Sequence, residues 1–80
     1  MILDNIELVD YLDSRQGRWV EVKDTRNDNT HFFRASREGG HIIFHRIITF
    51  DSQEEGLSYD QFRFMYRSAS WEVIRKDPIL

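Results

Sequence analysis

An α+β domain built on an antiparallel sheet is the fold class this sequence predicts, and three observations carry that prediction. The first stretch combines helical apolar spacing with a complete set of helix-start residues. The apolar period then changes from helical to two, and the two-period segments are divided by short runs of turn formers. With 80 residues the chain has room for a single domain, residues 1–80. A chain of that size buries only roughly 60% of its unfolded surface, so the core or a partner chain must supply the stability.

The elements follow in order. Asp4 can cap a first helix, Glu7 completes a capping box, and Leu3 before the cap can staple onto Leu8. Ile6, Leu8, Val9, Tyr11 and Leu12 form its apolar flank, Glu7, Asp10 and Asp13 its solvated flank, and Gly17 closes it. Residues 18–23 are aromatic and β-branched and lead into the turn formers of 25–29, which predicts a strand entering a hairpin. Residues 30–35 form the return strand, and Glu38-Gly39-Gly40 offers the positive φ angles of a second tight turn. A third strand, 41–50, is apolar on both parities, which places it in the middle of the sheet.

Pairing Ser36 with His41 sets Phe33 opposite Phe44, Ala35 opposite Ile42, Phe32 opposite His45 and Arg34 opposite Ile43. One face then holds Phe33, Phe44, Ala35, Ile42 and Ile48. The other holds Phe32, Ile43, Ile47, Val20 and Val22, relieved by Arg34 and His45, and needs a covering of its own. Residues 51–56 are polar and acidic and predict a surface loop. Residues 58–67 alternate like a strand but also carry a Ser58 and Gln61 capping box and the helical stripe Tyr59, Phe62, Met65 and Tyr66. The end signals favour a helix. Residues 71–75 form a short last strand ended by Pro78. The expected order is α-β-β-β-α-β with three to four strands, the N-terminal helix and the second one packing one face. No internal repeat or low-complexity tract is present.

Function is less legible than fold. Without cysteine there is neither a disulfide framework nor a thiolate metal site, and no apolar run reaches the roughly 20 residues that span a bilayer. The start lacks the basic and apolar regions of a signal peptide, so a cytoplasmic location and no membrane partner are expected. No Gly-x-Ser-x-Gly elbow or Gly-rich phosphate loop appears, which disfavours nucleophilic catalysis and nucleotide hydrolysis. His41 and His45 lie roughly 13 Å apart along a strand, too far for one zinc shell. No cofactor, metal or catalytic set is expected, although His45 beside a carboxylate would have the chemistry for proton transfer.

What stands out is the arginine: nine of them against two lysines, threaded through eleven aromatic residues. Arginine and aromatic rings are enriched where proteins touch partners. Arg34, His45, Arg46, Phe64, Tyr66 and Arg67 are therefore the candidate binding residues. The expected role is a non-enzymatic regulatory or inhibitory module that binds a protein partner and forms a homodimer through a sheet face. The alternative is an Arg- and aromatic-lined site for a nucleotide or single-stranded nucleic acid, against which the net charge of −3 counts.

Overall fold

In the computed structural model, which describes residues 1–47 and 54–79, both helices begin where their caps predict. Asp4 accepts from the Glu7 amide at 2.8 Å while the Glu7 side chain accepts from the Asp4 amide at 3.0 Å. Ser58 and Gln61 repeat the exchange at 3.1 and 2.8 Å. The elements are β1 (Ile2–Asp4), α1 (Asn5–Ser14), β2 (Val20–Asp24), β3 (Asn29–Glu38), β4 (His41–Ile47), β5 (Glu55–Ser58), α2 (Tyr59–Met65) and β6 (Ser70–Lys76).

The fold is α+β with an antiparallel sheet, but among the described residues that sheet has six strands rather than three or four, ordered β1-β6-β2-β3-β4-β5. The two extra strands, β1 and β5, are the sheet edges. Each is three or four residues long and runs straight into a helix, so neither shows a strand period of its own. β5 takes Glu55 and Gly56 out of the expected 51–56 loop, and Asp51, Ser52 and Gln53 lie outside the described residues. β4 is interior but one strand from an edge, not central. Ile48 and Phe50 of the expected third strand also lie outside the described residues.

The β3–β4 register differs from the expected one by two residues. Gly39 and Gly40 both take positive φ, 57° and 81°, and make a two-residue turn that pairs Glu38 with His41. Phe33 therefore faces Arg46, Ala35 faces Phe44, Ser36 faces Ile43 and Arg34 faces His45. A slip of two preserves side-chain parity, so Phe33, Ala35 and Phe44 still share one face. Val20 and Val22 do not lie opposite them as expected; they pair with Phe33 and His31 and join the core.

Both helices cover that one face. Leu8, Val9 and Leu12 of α1 and Phe62 of α2 belong to the same core as Val20, Val22, Phe33, Phe44 and Trp71. The opposite face carries Trp19, Glu21, Lys23, Phe32, Arg34, Ser36, Ile43, His45, Ile47 and Glu72. It is polar more than apolar, and ion pairs cross it: Lys23 with Glu72 at 3.4 Å and Arg75 with Glu21 at 3.5 Å.

Candidate functional site

The sequence-derived candidates divide among three places. Arg34 and His45 meet on the open sheet face. Because β3 and β4 pair them directly, their side chains project together, and Ser36, two residues along β3, projects beside them. Ser36 Oγ lies 2.8 Å from His45 Nε2, and His45 Nδ1 lies 2.8 Å from Glu54 Oε1. The same Glu54 oxygen accepts from the Arg34 guanidinium at 2.5 Å, and Arg34 sits 5.3 Å from the centre of the Trp19 ring. A carboxylate only accepts, so Nδ1 of His45 carries the proton toward Glu54, and in the tautomer with the proton on Nδ1 the Nε2 lone pair faces the Ser36 hydroxyl.

A cavity of about 700 Å³ opens beside this line, bordered by Asp13, Gln16, Gly17, Arg34, Ser36 and Arg37. It exists because β3 outruns β2. The last β2 partner is Val20, opposite Phe33, and β3 continues to Glu38 with only β4 beside it among the described residues. Counting back from the tight Glu38–His41 pair, Arg34 and Ser36 turn their backbone groups to β4, whereas Ala35 and Arg37 turn theirs to the cavity side. Gly17 lies there, and a Cβ on it would be 3.9 Å from the Ala35 carbonyl oxygen. Asp13 grips the Arg37 side chain at 2.8 and 3.1 Å across the cavity rim. That bidentate pairing holds the Asp13 carboxyl below, and the Arg37 guanidinium above, their ordinary pKa values.

Arg46 and Tyr66 form the second place, and it is internal. The Arg46 side chain is only 9% exposed. It donates to Tyr66 Oη at 2.6 Å and pairs with Glu55. Burial works against its charge, but the bonds to Glu55 and Tyr66 outweigh it and raise its pKa. These two residues tie β4 to the end of α2 and present no contact surface.

The third place lies on the helix side. Phe64 is 74% exposed and Ile6 68%, and both border a shallow groove of about 550 Å³ together with Asp60, Arg63 and Arg67. Arg67 lies 5.7 Å from the Phe64 ring centre and Arg63 lies 5.6 Å from that of Tyr59. The other seven arginines are each paired with a carboxylate: Arg15 and Arg18 with Asp77, Arg26 with Asp24, Arg34 with Glu54, Arg37 with Asp13, Arg46 with Glu55 and Arg75 with Glu21. Among the described residues, Arg63 and Arg67 are the arginines with no carboxylate in ion-pair reach.

Sequence reading missed Ser36, Glu54 and Trp19. Ser36 and His45 come together only through strand pairing, and Glu54 reaches them from the segment that enters β5. Among the described residues no group of three or more metal-ligating side chains occurs, and no helix is long and apolar enough to cross a membrane. Comparison with known proteins leaves the reading to these side chains: no family model, no curated protein and no solved structure matches the chain.

Proposed function

We propose that this protein is a small interaction module that docks an acidic segment of a protein partner on the α2 patch, with Phe64 as the apolar anchor and Arg63 and Arg67 as the charge contacts. The observation that carries the reading is the coincidence on one short helix of an aromatic ring 74% exposed with two arginines held by no carboxylate among the described residues. Exposing a phenyl ring on a helix whose other aromatics, Phe62 and Tyr59, are buried and partly buried forgoes burial that a core position would gain, and Phe beside Arg is the composition of interface centres. Ile6 and the half-exposed Met65 extend the apolar area on either side.

The partner's acidity follows from charge. Elsewhere arginine is neutralised in place, whereas here the guanidinium groups rest on rings and keep their hydrogen-bonding edges available. A phosphate-bearing ligand on the open sheet face is less well served, because Arg34 there is already gripped by Glu54. A dry homodimer through that face would bury the Lys23–Glu72, Arg75–Glu21 and Arg34–Glu54 pairs, whose desolvation offsets the gain from Ile43 and Ile47.

The test is quantitative capture from the host extract followed by titration of the purified partner. Phe64→Ala is expected to weaken binding at least roughly tenfold, as interface anchors do, while moving unfolding stability by less than about 0.5 kcal/mol, as exposed positions do. Arg63→Glu with Arg67→Glu should weaken it further and reduce its salt dependence. A partner bound equally by the native protein and a folded Phe64→Ala variant rules the patch out.

A further inference from the structure

On the open face the structure assigns Ser36 the role of a nucleophile toward small carboxylic esters, with His45 as its general base and Glu54 as the positioning residue. This goes beyond the docking reading and is independent of it, since it uses the opposite side of the sheet.

Three features carry it. The line is ordered as acyl transfer needs: hydroxyl to Nε2 at 2.8 Å and Nδ1 to carboxylate at 2.8 Å, so one ring takes the proton while its other nitrogen is held. Glu54 is itself fixed, because Arg34 donates to the same oxygen at 2.5 Å and is backed by Trp19. Ser36 is also among the residues lining the 700 Å³ cavity, and the residue after it, Arg37, turns its amide N–H to that side of β3. An N–H immediately after the nucleophile is a natural donor to the oxyanion of a tetrahedral intermediate. The Arg34 side chain adds positive charge at the same edge.

The step balances without another reagent. Ser36 Oγ attacks the ester carbonyl carbon as its proton passes to His45 Nε2. The carbon–oxygen bond to the alcohol then breaks, and Nε2 returns the proton to the departing alkoxide, leaving acyl-Ser36. Water reverses the sequence, giving its proton to His45, releasing the carboxylic acid and restoring the hydroxyl. Gln16, Gly17 and Arg37 line the cavity in which the acyl group would sit.

The probe is an activated aryl acetate, with release of the aryl alcohol followed by absorbance and the acetylated residue located by peptide mass mapping. The expected result is a burst near one equivalent with acetyl on Ser36. Ser36→Ala removes it and His45→Ala slows it by about 10²-fold or more, the usual contribution of a general base. Glu54→Gln lowers the rate and alters its pH profile, which a merely structural carboxylate would leave alone. Acetyl found only on Lys23, Lys76 or the amino terminus, or a rate that His45→Ala leaves unchanged in a folded protein, overturns the proposal. Should Ser36→Ala fail to fold, Ser36→Cys supplies a second reading, because the chain has no other cysteine. Its alkylation by iodoacetamide is expected to slow at least tenfold when His45→Ala is added, and equal rates with and without His45 overturn the assignment.

Discussion

His31 sits where an imidazole has least to gain from a proton. Its ring stacks on Phe33 at 5.6 Å and meets Tyr66 and Trp71 edge-on, and it is 7% exposed with Nδ1 unpartnered. Burial lowers its pKa; Asp24 pulls the other way, and Arg46 and Arg26 add to the lowering. Because the folded chain binds this proton more weakly than the unfolded one, the ring's contribution to stability is complete above the ordinary imidazole value of 6.5 and is lost as pH falls below it. Urea unfolding across neutral to mildly acidic pH should show stability declining on acidification, and His31→Leu should flatten that slope. A slope unchanged by the substitution would place the titrating group elsewhere. The neighbouring Asp24 belongs to a lower window. Its side chain, 1% exposed, accepts from the Arg26 amide, Nε and terminal nitrogen. Those bonds hold its carboxyl below the ordinary value of 3.8, so its contribution is lost only as pH falls below that value. Arg26 also donates to the Arg67 carbonyl at 2.8 Å, so Asp24→Ala loosens both the β2–β3 turn and its contact with the end of α2. A cost of about 2 kcal/mol is expected in urea unfolding, the scale of losing charge-assisted hydrogen bonds at a partly exposed pair.

At the scale of elements, the two ends of the sheet use one device. Leu3-Asp4 and Leu57-Ser58 each end an edge strand as a buried leucine followed by a helix cap, and the residue three after the cap, Glu7 or Gln61, closes the box. Leu8 and Phe62 then enter the core from the first turn. This likeness spans six residues with little shared identity, and a search for repeats passes over it. Both helices were legible in the sequence because caps act within four residues of chain. The edge strands were not, since Ile2 pairs with Glu72 and Ile43 with Ser58, and no local signal encodes such partners. The same reason governs the candidate site. Arg34 and His45 were legible as residues of one face, while the Ser36–His45–Glu54 line required the true register and the β5 strand. The caps make a direct prediction: Ser58→Ala and Asp4→Ala should each cost about 1 kcal/mol in chemical denaturation. Because α2 has only seven residues, Ser58→Ala should also lower far-UV helical signal before global unfolding, and coincident transitions would show that α2 has no separate stability.

For the molecule as a whole, the decisive quantity is how little core there is to lose. No disulfide closes the chain, and stability on the order of 0.05–0.15 kcal/mol per residue leaves such a domain only several kcal/mol. Much of that passes through Trp71. Its ring is fully buried and packs against His31, Phe33, Phe62 and Tyr66. Its Nε1 donates to Asn5 Oδ1 at 2.7 Å, and Asn5 in turn donates to the Tyr66 carbonyl at 2.8 Å. One side chain on β6 thereby joins the start of α1, the end of α2 and the centre of the sheet. Removing a buried tryptophan costs about 3–5 kcal/mol, comparable to the whole margin, so Trp71→Ala is expected to be largely unfolded at neutral pH or to melt tens of degrees lower by circular dichroism. Trp19 is the control within the same molecule. It is part-exposed on the open face, and its stacking with Arg34 is worth about 0.5–1 kcal/mol. Trp19→Ala should leave the fold intact and move the melting temperature by only a few degrees. Equal losses from the two tryptophans would mean that the open face, and not the aromatic core beneath the helices, holds the domain together.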